Sequence, residues 1–356
     1  MQWLTKSRRV NNKVALVILD RTVICIEGCE IMKEKGKSIN SLMKHIRDNH
    51  HIKIGKGRNK DKRELLNMGY FHAYKAYKFV KNIEHPLLLS EFSEIKDIYD
   101  LDNSLKELFY PVVMKVETAI NNYTIACVVT DGGTDLESIF EDKLNHYSDL
   151  NEGSRGYKKE MKRFLQLRKR MDDVIAVNYT KSNVIQHYVH NNKAVPLWAI
   201  FELTTLGDLG AFVGRLNNVT REKLSKDIGI YDKRFDTTNL LLSKHLYIIK
   251  DLRNAVAHNN PIFDCRFRTG KISNVVINHL ETNLGIKKIN FKTITDYVLL
   301  VAYYMSCLQF TKKEVKTFIR KYEKIISDYQ KKSNNSENYR KIFDVDGKSK
   351  IQKFKV

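Results

Sequence analysis

LLLSKHLYIIKDLRNAVAH, residues 240–258, decides the fold class, because its apolar positions recur at helical spacing and end on a histidine. On a helix, Ile248, Ile249, Leu252, Ala255 and Val256 share one face, and that face goes into a core. Tyr247, Lys250, Asp251, Arg253, Asn254 and His258 fall on the other half. Asn254 and His258 are four apart and therefore neighbours. Arg253 lies to one side, with a side chain long enough to reach the same groove. Asn259, Asn260 and Pro261 end the helix, since proline disfavours helical geometry in the residue before it. His258 then stands in the last turn. Ala257 is small, so another helix or a substrate can approach closely.

These residue types suit RNA cleavage without a metal or cofactor. The 2′-hydroxyl is an internal nucleophile for the adjacent phosphate. It needs a proton acceptor, and the leaving 5′-oxygen needs a proton. Histidine serves in either role near neutrality. The transition state gathers charge on the phosphoryl oxygens, which a forked, permanently charged arginine stabilises. Asn254 could orient the histidine or the phosphate. One histidine does not readily supply both acid and base, so a homodimer bringing together two copies of Arg253 and His258 is the expected arrangement. The spacing alone also fits a plainer reading. In that reading a helix-terminal histidine interacts with the helix dipole, and the arginine forms a surface ion pair with Asp251 or a neighbour.

Composition narrows the partners. The 356 residues hold 62 Lys and Arg against 41 Asp and Glu, a net charge of +21. Such an excess attracts polyanions by counterion release, and RNA is the expected partner. An anionic membrane, or charge that serves only solubility, remains the alternative. Apolar content of 42% with 4 prolines and 16 glycines favours a globular chain of long helices. The 5 cysteines form no disulfide framework, which points to a reducing, cytoplasmic setting. The apolar run from Tyr297 to Phe310 is too short to span a bilayer and is expected to be a buried helix. His45, His50 and His51 cluster but lack carboxylates at ligand spacing, so no metal site is expected.

The expected division is a segment 1–31, a helical region 32–95, a helical core 96–330 with a basic insertion near 135–175, and a mobile basic tail 331–356. Residues 1–31 contain VALVILDRTVICI, a possible strand, and Met32 is a possible native start. IKIGKGRNKDKRE (52–64) reads as a basic loop. In 94–129 Pro111 is an expected break or kink, and Asp102 or Asn103 a plausible N-cap. KKEMKRFLQLRKR (158–170) sets Lys158, Lys159, Lys162, Arg163, Arg168, Lys169 and Arg170 on a helix as a cationic ridge. That ridge reads equally as an RNA contact, as a solvated charge run or as a strip for an acidic partner. GYFHAYKAYKFVK (69–81) alternates aromatics with Lys75 and Lys78. Stacking faces beside cations suit RNA, but helical spacing favours burial of Phe71, Tyr74 and Phe79 with the lysines left wet. Lys250, beside the arginine–histidine pair, completes the candidate RNA contacts.

Longer strings carry a resemblance. HLYIIKDLRNAVAHNNPIFDCRF (245–267) resembles the signature of the bacterial abortive-infection AbiD/AbiF family, of the HEPN (higher eukaryotes and prokaryotes nucleotide-binding) superfamily. PLWAIFELTTLGDLGAF (196–212) is similar to the family's second motif. SINSLMKHIRDNHHIKIGKGRNKDKRELLNMGYFHAYKAYKF (38–79) is similar to its N-terminal region, closest to the AbiF branch. The resemblance implies an all-α fold with a HEPN-type helical bundle, extended by N-terminal helices and a basic insertion. It also implies defence against phage, typically by toxicity to the infected cell. In HEPN ribonucleases the Arg-polar-x-x-x-His motif is catalytic, as in the type VI CRISPR effectors, and here it matches Arg253, Asn254 and His258. Members of the AbiF type are associated with structured non-coding RNA, and some HEPN proteins are RNA-binding without being nucleases.

Overall fold

A computed structural model describes residues 18–19, 22–23, 37–54, 58–130, 133–268, 270–333, 336–343 and 346–354. The fold is all-α, as the sequence led us to expect. Within 14–26 only Ile18–Leu19 and Thr22–Val23 are described, and they pair antiparallel as a two-residue ladder. Met32 lies outside the described residues.

Two helices lead. In α1 (Ile39–His50) the Ser38 hydroxyl caps the N-terminus by accepting from the Ser41 N–H, the role its side chain suits. The second, α2, spans Arg58–Tyr70. The lysine-rich part of 52–64 is therefore helix from Arg58 onward, not loop. Its arginines and lysines are good helix formers, and their charge says nothing against a helix.

The longest helix among the described residues is α3 (Phe92–Val129), 38 residues opened by a reciprocal capping box between Glu91 and Glu94. The helix runs on through Pro111, so the expected break there is absent, and Asp102 sits in its interior instead of at an N-cap. The Glu91 cap lies upstream, and every position from Phe92 to Phe109 that faces inward at helical spacing is filled. The sequence boundary at 95/96 falls in the first turn of this helix, and buried residues on both sides of it belong to one apolar cluster.

Short α4 (Leu136–Asp142) leads to α5 (Arg155–Asn178), which carries the basic ridge, and α6 (Asn183–His190) follows. The segment 197–216 is two helices, α7 (Leu197–Phe201) and α8 (Leu206–Val213). The break comes at Thr205, which caps α8 in a box with Asp208. After α9 (Asn218–Ile228) comes the motif helix α10 (Leu241–Ala257), then α11 (Asn274–Leu284) and α12 (Ile294–Cys307). As expected, α12 is a buried helix, with every residue from Ile294 to Met305 inside. No helix among the described residues is long and apolar enough to cross a membrane.

The chain closes with α13 (Lys312–Lys332), α14 (Ser336–Ile342) and α15 (Gly347–Lys353). Within the segment 331–356, expected to be a mobile tail, the described residues 336–343 and 346–354 hold two docked helices. Ile342, Phe343 and Ile351 are buried in the common core. The Asn338 side chain accepts from the Leu88 N–H at 2.8 Å and donates to the Leu88 carbonyl at 2.7 Å. Lys350 is buried against Asp296 at 2.9 Å. That carboxylate also accepts the backbone N–H groups of Asn290 and Phe291.

Candidate active site and nucleic-acid interface

The inward face of α10 is the one its periodicity gives, with Ile248, Ile249, Leu252, Ala255 and Val256 buried. Its closest neighbour is α8, and glycine allows the approach. A Cβ on Gly210 would stand 3.5 Å from the Leu246 Cβ, and one on Gly207 would stand 3.4 Å from the Lys250 Cδ. The Ser243 hydroxyl donates to the Gly210 carbonyl at 2.8 Å, tying the two helices together.

The end of α10 is fixed on both sides of His258. Asn259 takes a left-handed conformation at φ 54°. Its N–H donates to the Val256 carbonyl, and the Asn260 N–H donates to that of Ala255, the paired bonds of a Schellman motif. The Asn259 side-chain oxygen accepts from Lys106 Nζ at 2.8 Å. Lys106 is paired with Asp102 at 2.7 Å, and both are buried on α3. Asp102 then accepts the N–H groups of Ile262 and Phe263 at 2.7 and 2.8 Å, and the Tyr77 hydroxyl at 2.9 Å. One buried carboxylate thus holds the chain leaving the motif. Its signal was present in the sequence as an acid at an inward helical position between Ile98 and Leu105.

Arg253 and His258 flank the exposed arc of α10. Five residues of ideal helix separate them by about 140° around the axis and about 7.5 Å along it. Asn254 and His258 are exposed, and Arg253 is half-buried. The Arg253 Nε donates to Glu117 Oε2 of α3 at 3.0 Å. Among the described residues its two Nη groups make no hydrogen bond, so the fork is anchored at its base and open at its tips. Glu117 is 136 positions away, and no local pattern announced it. The plainer reading expected an ion pair of Arg253 with Asp251 or a neighbour; the partner is Glu117, at 3.0 Å, while Asp251 pairs with Lys250 at 3.0 Å.

The basic ridge reaches this helix through α8. Arg170 of α5 pairs with Asp208 of α8 at 3.2 Å, and the adjacent Gly207 lies against Lys250, whose Nζ is 5.5 Å from the centre of the Tyr247 ring. The cations of the ridge divide into two kinds. Arg163, Arg168 and Arg170 pair with Glu160, Glu137 and Asp208. Lys158, Lys159, Lys162 and Lys169 are exposed and have no ion-pair partner among the described residues. Lys75 and Lys78 stand apart from this strip. Their segment packs on α2 and α3, where Lys75 lies over Tyr70 and Lys78 over Tyr74 at 5.7 and 5.2 Å. Tyr74 and Phe79 are buried as expected, whereas Phe71 is exposed. The His45 and His50 Nε2 atoms lie 3.3 Å apart, and among the described residues no group of three or more His, Cys, Asp or Glu converges as a metal-ligand set.

A protein-family model described as Abi-like protein matches residues 63–264, more than half of the chain. The match runs from α2 through α10 and stops on the loop that Asp102 holds. No match was found among curated proteins or among solved structures.

Proposed function

The chain belongs to the Abi-like protein family, and from that premise we propose that it is an abortive-infection protein that binds RNA and cleaves it at the Arg253–His258 helix. The observation that carries this reading is the anchored but open Arg253 fork on the helix whose C-cap is an exposed histidine. Phosphate has a place at the Nη groups, where it accepts two parallel hydrogen bonds. The resemblance to the AbiF branch of the HEPN superfamily supports the same assignment. It also supports control by a structured non-coding RNA, held by the lysines of α5.

The reaction needs two imidazoles. The 2′-oxygen attacks the adjacent phosphorus while its proton passes to a neutral imidazole. The bond from phosphorus to the 5′-oxygen breaks, and that oxygen takes a proton from an imidazolium. The products are a 2′,3′-cyclic phosphate and a 5′-hydroxyl. Each chain offers His258 once, so the site is composite in a homodimer, with Arg253 and His258 from each copy facing one cleft. Asn254 sits between them on the exposed arc and orients imidazole or phosphate.

The test is cleavage of a mixed RNA pool in EDTA by the purified protein, beside Arg253→Ala and His258→Ala, with product ends and oligomeric state measured. Cleavage that leaves 2′,3′-cyclic ends and is lost in both variants is expected. Tight RNA binding without cleavage, unchanged in both variants, would leave the second reading, an RNA-binding protein without catalysis. The unpaired lysines of α5 favour that second reading as much as the first.

A further inference from the structure

A second feature of α10 lies beside the motif. A cleft of about 300 Å³ opens between α10, residues 270–273, the start of α11 and α12. One wall is the ring of Tyr247, exposed on α10. The rim is cationic. Lys244 and Lys271 line it, neither with an ion-pair partner among the described residues, and Arg268 joins them with its guanidinium held by the Asn290 and Phe291 carbonyls. The N-terminus of α11, capped by Ser273, adds the positive end of a helix dipole. On the buried side Tyr297 lines the cleft, fully buried, and its hydroxyl has no hydrogen-bond partner among the described residues. A buried hydroxyl left unpaired is costly, so it marks a place for a polar group not supplied by the protein.

We infer that this cleft is a subsite for one unpaired nucleotide of the RNA strand, its base stacked on Tyr247 and its phosphate held by Lys244 and Lys271, with the Tyr297 hydroxyl bonded to the nucleotide. The inference rests on RNA being the ligand of the motif helix. Lys244, Tyr247, Asp251, Asn254 and His258 follow one another at spacings of three and four, a single stripe along α10. Asp251 to His258 is about 10.5 Å of helix rise. A strand whose nucleotide fills the cleft therefore continues along the stripe toward His258. The subsite selects for single-stranded RNA, since a paired and stacked base does not reach Tyr247. The Asp251 carboxylate on the wall is matched by Lys250 and does not repel the strand.

The experiment is equilibrium binding of a short 2′-O-methyl oligonucleotide, which has no free 2′-hydroxyl to attack its own phosphates. It is compared with the same oligonucleotide carrying one abasic position, moved along the strand. Tyr247→Ala is expected to weaken binding of the intact strand by roughly 5- to 150-fold, the range for loss of one base–aromatic stack. Tyr247→Phe keeps the ring and is expected to bind like the parent. At one abasic position the parent should lose the same factor, and Tyr247→Ala should lose nothing further. Lys271→Glu should weaken intact and abasic strands alike. Salt-dependent binding indifferent to Tyr247 and to every abasic position would overturn the subsite while leaving RNA as ligand. A free nucleoside monophosphate that binds with Tyr247 dependence, in a protein that binds no strand, would overturn both.

Discussion

Arg253 is held from α3 by Glu117, Nε to Oε2 across 3.0 Å, with the Arg253 side chain 30% exposed and that of Glu117 12%. The acid takes the one donor of the guanidinium that points back along the side chain. Both Nη groups stay available in the plane where a phosphate would be met bidentately. Glu117→Ala should leave the fold intact and let the fork swing. A small misplacement of such a group costs up to about 100-fold in rate, so single-turnover RNA cleavage should slow by about 10- to 100-fold while strand affinity changes little. Glu117→Gln keeps an acceptor and should fall between. Cleavage by Glu117→Ala at the parent rate would remove the positioning role.

Asp102 carries more than its salt bridge, because its carboxylate serves Lys106, Tyr77 and two backbone N–H groups at once. Asp102→Asn leaves a buried ammonium without its counter-charge, a change of the kind that costs about 3–5 kcal/mol. Urea unfolding should register that loss. Asp102→Asn with Lys106→Met removes the stranded charge and should recover part of it. Equal stability of the single and double variants would show that the pair is not coupled.

Two glycines in the contact between α8 and α10, Gly214 and Gly210, should respond in opposite directions. A Cβ on Gly214 would come within 2.9 Å of the Ser243 hydroxyl oxygen, which is committed to the Gly210 carbonyl. Gly214→Ala should therefore cost about 1–2 kcal/mol through a displaced or broken hydrogen bond. A Cβ on Gly210 meets its neighbours at 3.5 Å and beyond. Gly210→Ala should be neutral or stabilising by up to about 1 kcal/mol from helix propensity. Thermal melts of the two variants decide it, and loss of stability in Gly210→Ala would mean that the helices sit closer than described.

What the sequence made legible is what depends on neighbours along the chain. The inward face of α10 and the burial of α12 both follow from local periodicity. The stop after His258 was legible too, although its agents are the left-handed Asn259 and the bonds around it as much as Pro261. What stayed hidden depends on distant partners. Nothing near Arg253 points to Glu117, and nothing near Asn259 points to Lys106. The docking of 336–343 and 346–353 was missed for a related reason. Its burial rests on a few apolar residues and on Lys350, whose charge reads as solvent-facing until Asp296 is placed beside it. The loop read into 58–64 came from weighing charge over helix propensity.

Two buried histidines should make the fold sensitive to acid. His245 is fully enclosed, its Nδ1 paired with the Tyr304 hydroxyl at 2.9 Å and its Nε2 without a partner among the described residues. Burial pushes its pKa well below the ordinary value, and the neighbouring His279 is pushed the same way by burial. Both therefore take up a proton less readily when folded than in the unfolded chain, where protonation sets in below about pH 6.5. Stability should be level above that pH and fall as pH drops through and below it, by up to about 1.4 kcal/mol per pH unit for each histidine. Urea unfolding between pH 7.5 and 5 measures the slope. His245→Phe should flatten it, and a parent protein with no slope in that window would refute the assignment.

The lysines of α5 divide from its arginines by what they already hold. Arg163 is occupied by Glu160 and Arg168 by Glu137. Lys158, Lys162 and Lys169 are exposed without a counter-charge among the described residues. RNA phosphates should therefore meet the lysines first. Each phosphate contact on a single strand contributes about 0.7 to the slope of log K against log salt. Reversing Lys158, Lys162 and Lys169 to Glu should make that slope shallower by about 2 and weaken binding at low salt far more than at high salt. Arg163→Ala should change it little, since that arginine is already matched. The triple variant should leave unfolding free energy within about 0.5 kcal/mol of the parent, as exposed positions usually do. A salt slope untouched by the triple reversal would move the RNA off α5 and leave α10 to bind it alone.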